Sequence, residues 1–309
     1  MEKVLFLKGF LEEAPWGSSY FKEKGMTDKN LKYGAYVSCK ASKKESVEIA
    51  FGKFKGQKLI DVFNNNRDLF NNIPSKEFPL MVKLIRSKLE TSIKVHPNDE
   101  YAAIHDKSLG RTMGWLILDS SPDSELVLGV KAKDKQSLIK LYNEKKMSDI
   151  VNIVKPKVGQ FFPIYSGTVH GIGRDVLVLE VEDSSDASYR LYDYDRNNIK
   201  NDRNLSIDTA LDLITYNTEK TSSPLYFDKN DSAIELWRSL YFDLVLLNIN
   251  ESYSFKNPDD YLLCTVASGS LNILDKEVKM GQSFILTKEL DNLEVFGNAK
   301  VILIYPRDV

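Results

Sequence analysis

The chain has 309 residues, 42% hydrophobic and 11% aromatic, enough apolar material to bury one large core or two smaller ones. Its 42 basic residues nearly cancel 44 acidic ones and no block of like charge stands out, which argues against an electrostatic grip on nucleic acid or membrane. The two cysteines, Cys39 and Cys264, sit far apart in apolar runs, which excludes a disulfide scaffold and a cysteine-based zinc site and points to buried thiols in a reducing compartment.

No run approaches the roughly 18 apolar residues of a membrane span, and the apolar stretch at the N-terminus is too short for a secretory signal. The expected location is therefore cytoplasmic. In chain order, apolar or alternating runs between Gly, Asn, Asp and Pro turns predict strands from Val37 to Cys39, Ser92 to His96, Trp115 to Leu118, Leu126 to Val130 and Val176 to Val181, with Val301 to Tyr305 closing the series. Three stretches carry helical spacing instead: Gln57 to Phe70, Lys135 to Val154, and Ser206 to Tyr216, where Ser206 is the expected N-cap. The polar segment from Tyr216 to Asp231, with Ser222, Ser223 and Pro224, reads as a linker. Beyond it, Ala233 to Pro306 reads as a second run of about eight strands. The pattern is mainly β with helical insertions.

Only three histidines occur, so a histidine-rich metal site is limited from the start. His96 ends an alternating strand and precedes Pro97, so Lys94 and His96 share one face at a strand end, a spacing that aims two side chains the same way. A half-exposed histidine before a turn fits the same residues. His170 follows Gly159 and Gly167 in a spacing close to Gly-x5-Pro-x-Gly-x2-His, the second motif of cupin barrels, with Tyr165 at the proline position. It is expected to begin the buried strand from Val176 to Val181. His105 reads as a surface residue without a role.

Six segments, PWGSSYF (15–21), FPLMVKLI (78–85), SIKVHPNDEYA (92–102), GRTMGWLIL (110–118), SGTVHGIG (166–173) and SSDASYRLYDYDR (184–196), occur in the order and spacing of type I mannose-6-phosphate isomerases of the short bacterial class, which the chain resembles over nearly its whole length. The resemblance implies two jelly-roll cupin domains. Residues 1–220 would form the N-terminal cupin with the active site and a helical insertion at about 133–154, and residues 221–309 a metal-free cupin-like domain. It also implies interconversion of mannose 6-phosphate and fructose 6-phosphate through an enediol, with a zinc ion polarising the sugar oxygens. A sugar phosphate is the implied partner.

In that family a Gln-x-His pair, the glutamate of Lys-Thr-Glu and the histidine of Ser-Gly-Thr-x-His hold the zinc; those positions here are Lys94, His96, Met113 and His170. Lysine ligates only when deprotonated, and a thioether is soft, so the two histidines stand without their usual companions. The Lys-Thr-Glu lysine corresponds to Arg111, and the Asp-x3-Arg element to Asp186 and Arg190, which the resemblance marks as catalytic. Trp16 corresponds to a tryptophan lining the cleft, so Arg111, Lys94 and Trp16 are the implied substrate-binding residues. Ser18, Glu182 and Asp183 depart from the family pattern. Each residue also has a plainer reading: Arg190 pairing with Asp186, Asp193 or Asp195, Arg111 and Lys94 as surface charges, and Met113 as core filler. Two functions follow from the resemblance, an isomerase with an altered zinc site and a metal-free paralogue that binds a sugar phosphate without turnover. A zinc and a glutamate together carry one positive charge; so does Lys94 beside a neutral Met113, which would place the ammonium at or near the metal position.

Overall fold

The computed structural model describes residues 2–75, 77–144, 147–194, 196, 205–216, 232–258 and 260–307. The linker expected from Tyr216 to Asp231 lies outside them, apart from Tyr216. Among the described residues the strands form three open sheets rather than closed barrels, in a mainly β fold of the cupin class.

The described residues fall into two compact units. The first comprises Met1–Glu12, Ala35–Leu84 and Leu225–Val309, a division that differs from a single cut near residue 220. The reason is strand pairing. The N-terminal run Val4–Lys8 is antiparallel to Ser283–Leu286, with Val4 opposite Leu286 and Phe6 opposite Phe284, so its apolar side chains join the core of residues distant in sequence. These strands belong to a nine-stranded sheet in the order Ala233–Arg238, Phe242–Ile249, Asn292–Pro306, Leu262–Ile273, Ser283–Leu286, Val4–Lys8, Glu48–Ile49; Ser252–Lys256 and Lys276–Lys279 pair outside that path. Seven described strands lie between Ala233 and Pro306. Asn292–Pro306 begins by alternating exposed Asn292 and Glu294 with buried Leu293 and Val295, the signature of a sheet covered on one face. The first unit buries both Cys39 and Cys264 as free thiols whose ionisation burial suppresses.

The helical spacing from Gln57 to Phe70 resolves into the helix Leu59–Asn65 and the 3-10 turn Arg67–Phe70, broken at Asn66, whose φ of −138° leaves the helical region. Phe63, Phe70, Phe78 and Tyr261 pack there through edge-to-face and tilted rings with centroids 5.0–6.1 Å apart.

The second unit comprises Glu13–Gly34 and Ile85–Pro224. It holds a five-stranded sheet in the order Tyr189–Tyr192, Ile93–Val95, His170–Ile172, Leu126–Val130, Val151–Val154. It also holds three neighbouring strands of another sheet, Phe161–Ile164, Met113–Ser120 and Val176–Asp183. Three expectations change here. The helical run expected to reach Val154 stops at Ile150, and Val151–Val154 turns into a strand because Leu126–Val130 offers it an open edge. Ser206 precedes the helix Ile207–Leu213 as expected, but its side chain makes no capping bond, its backbone N–H instead donating to the Arg190 carbonyl. His170 opens its own short strand, His170–Ile172, and the strand Val176–Asp183 belongs to the other sheet.

Candidate functional site

Cross-strand register assembles the site. Lys94 stands opposite His170 on one side and opposite Arg190 on the other, so Arg190, Lys94 and His170 form a row across three antiparallel strands on one sheet face. His96 lies two residues beyond Lys94, past the strand end, and its carbonyl accepts the Gly167 N–H at 2.8 Å. Gly167 has φ of +80°, and a Cβ there would meet the Thr215 hydroxyl at 2.2 Å, so this turn needs glycine. The turn brings the two imidazoles together, with ring centroids 4.8 Å apart and planes tilted by 33°.

The other sheet contributes a second set. Met113 stands opposite Glu182, and Trp115 opposite Glu180, so these four share a face. The Trp115 indole N–H donates to Glu180 Oε2 at 2.7 Å, and its ring meets His170 edge-on at 5.7 Å between centroids. Glu182 is fully buried, with Arg111 Nη1 3.2 Å from its Oε2, an ion pair off the alignment of a good hydrogen bond. A backbone clamp holds Arg111 in place. Its N–H donates to the Pro97 carbonyl at 3.1 Å, the Thr112 N–H donates to Asp183 Oδ2 at 3.1 Å, and the Gly110 N–H donates to Asp99 Oδ1 at 2.7 Å.

Burial and nearby cations set the electrostatics. Desolvation, then the charges of Arg111, His170 and Lys94, hold His96 well below the usual imidazole range. Desolvation lowers His170 to about 4, with Lys94 and Arg111 adding to the shift and the bond to Thr168 and the charge of Glu182 opposing it. Both rings are therefore neutral near pH 7. Desolvation pushes Asp183 up to about 8, against the Thr112 N–H and with help from Asp99 and Glu182.

The zinc expected from the family can be tested against these donors. His96 Nδ1 lies 2.8 Å from the Ala187 carbonyl and His170 Nδ1 2.9 Å from the Thr168 carbonyl. In a neutral ring this assigns the proton to Nδ1 and leaves an Nε2 lone pair, the arrangement that orients metal-binding histidines. The remaining donors do not fit. Lys94 and Met113 hold the other family positions, and among the described residues no group of three His, Cys, Asp or Glu side chains is placed to hold a metal ion.

The structure thus gathers His170, Lys94 and Arg190 on one sheet with His96 just past the end of the Lys94 strand, and on the other sheet places Met113 opposite Glu182, which pairs with Arg111 just before that strand. Arg111 is buried rather than a surface charge, and Met113, 2% exposed, fills core. Asp186 lies exposed on the loop before Tyr189–Tyr192. Trp16 sits on Phe10–Ser18 with the Arg196 guanidinium 5.9 Å from its ring centre. Beside it a cavity of about 690 Å³ is lined by Ser18, Ser19, Tyr20, Lys32, Arg86 and Lys88 among others, but not by the histidines. His105 closes the helix Asp99–His105, exposed and stacked on Tyr101. The Trp115–Glu180 pair escaped the sequence reading, although two glutamates at alternate positions of the apolar run Val-Leu-Val-Leu-Glu-Val-Glu were its visible sign.

Comparison with known proteins agrees with this frame. Residues 7–113 match the family model for the phosphomannose isomerase type I catalytic domain, and residues 234–306 that for the mannose-6-phosphate isomerase cupin domain. Mannose-6-phosphate isomerase ManA of Bacillus subtilis is 30% identical over 97% of this chain and 98% of its own, and the probable mannose-6-phosphate isomerase GmuF of the same organism is 31% identical over 99% and 100%. The crystal structure of mannose 6-phosphate isomerase from Bacillus subtilis superposes with a TM-score of 0.85 at 28% identity, covering 98% of this chain and 100% of the other. The chain belongs to the type I mannose-6-phosphate isomerase family.

Proposed function

We propose that the site binds a hexose 6-phosphate of the mannose 6-phosphate and fructose 6-phosphate pair, and that efficient zinc-dependent interconversion of the two is not its activity. The observation that carries this reading is the row Arg190–Lys94–His170, in which a lysine, at a position that the resemblance aligns with a family metal ligand, stands between an arginine and a histidine in register. Lys94 and Arg190, side by side, offer positive charge to phosphate or sugar oxygens. The neutral histidines offer Nε2 lone pairs to sugar hydroxyls.

Aldose–ketose interconversion builds negative charge on adjacent sugar oxygens, and a metal is worth several kcal/mol in holding it. Turnover without that contribution falls by on the order of a thousandfold or more. Calorimetry of the zinc-supplemented protein with mannose 6-phosphate, beside a coupled isomerase assay, tests both halves. Saturable binding weakened by Lys94→Met and by Arg190→Met, with turnover far below that of a zinc-dependent relative assayed alongside, is expected; zinc-dependent turnover at the relative's level would overturn the reading.

A further inference from the structure

We infer that the Lys94 ammonium takes the electrostatic place of a metal in this pocket, that zinc is excluded by charge and missing donors rather than by a collapsed site, and that two substitutions convert the pocket into a zinc site. Three observations carry this. First, both imidazoles keep the anchoring that metal ligation uses: each Nδ1 is held by a backbone carbonyl, and the rings lie 4.8 Å apart between centroids. Second, the positions that would complete the donor set are occupied by a cation and a thioether, neither of which suits zinc at neutral pH. Lys94 is opposite His170 in register and has Arg190 opposite it on its other side, so a divalent cation entering beside His170 meets two cationic side chains of the same row.

Third, the two buried glutamates facing Met113 and Trp115 across the strand pair have partners of their own. Glu182, across the strand from Met113, is ion-paired with Arg111, and Glu180 accepts from the Trp115 indole. The carboxylate absent at 113 reappears one strand away beside a guanidinium, as an internal ion pair that needs no metal.

Zinc per chain, by elemental analysis of the full-length protein after excess zinc and desalting, tests the inference; circular dichroism monitors folding. Wild type is expected to retain less than about a tenth of an equivalent, and Lys94→Gln/Met113→Glu near one equivalent. Lys94→Arg, which keeps the charge, is expected to stay zinc-free. Near-stoichiometric zinc in wild type, or none in the folded double variant, overturns the inference. If the double variant does not fold, Lys94→Gln alone decides: at the same free zinc it is expected to take up roughly tenfold or more above wild type, and no rise overturns the inference. No sugar enters this measurement, so its failure is distinguishable from failure of the hexose-phosphate reading.

Discussion

Burial fixes the protonation of the two histidines, and the pH dependence of stability follows from it. His170 is lowered from 6.5 to about 4 and His96 lies well below 6.5, so in that window the unfolded chain binds more protons than the folded one. The stability they contribute is complete above about pH 6.5 and is lost as pH falls toward 4. His170→Asn is expected to make the change in denaturation midpoint between about pH 5 and about pH 7 shallower, measured by urea unfolding. Asp183 acts with the opposite sign. Its pKa is raised from 3.8 to about 8, so the folded chain holds a proton that the unfolded one releases, and stability falls as pH rises through that window. Asp183→Asn keeps an acceptor for the Thr112 N–H and removes this slope, so its stability relative to wild type should grow from about pH 6 to about pH 8. The residues that the resemblance aligns with the family's metal positions, Lys94, His96, Met113 and His170, could be named from the sequence because they sit inside short motifs of fixed spacing. The Arg111–Glu182 and Trp115–Glu180 pairs were not, since each joins residues about 65 to 71 positions apart through strand register.

At the level of strands and turns, the site depends on two connections. The turn at Gly167 ties the end of the His96 strand to the start of the His170 strand through the Gly167 N–H to His96 carbonyl bond. Gly167→Ala places a side chain at φ of +80° and against Thr215, an expected cost of about 1–3 kcal/mol by chemical denaturation, with weakened ligand binding as the rings separate. The second connection is the pairing of Met113–Ser120 with Val176–Asp183. Trp115→Phe removes the indole donor from buried Glu180, an expected cost of about 1–3 kcal/mol. Alternation and apolar runs revealed where most of these strands lie, because period-two burial leaves a local imprint. The strand Val151–Val154 carried no such imprint after a helical stretch, and only the edge of Leu126–Val130 made it one.

For the whole molecule, the described residues of the site named here, from Lys94 to Arg190, belong to one compact unit, while the N-terminal strand and the C-terminal run share the other. Leu263→Ala, at a fully buried position of the nine-stranded sheet, is expected to cost about 2–5 kcal/mol of stability while leaving mannose 6-phosphate affinity unchanged, measured by denaturation and calorimetry in parallel. The sequence by itself determined the family, the mainly β class and which residues stand at four motif positions, His96 and His170 with Lys94 and Met113, because each rests on residue identity within a local motif. Tertiary structure alone decided that residues 4–8 complete a sheet of residues far along the chain, that Lys94 lies between Arg190 and His170, and that buried Glu182 answers Arg111. Those outcomes depend on which strands become neighbours and in what register, a choice made by burial of the whole core rather than by any segment's own pattern.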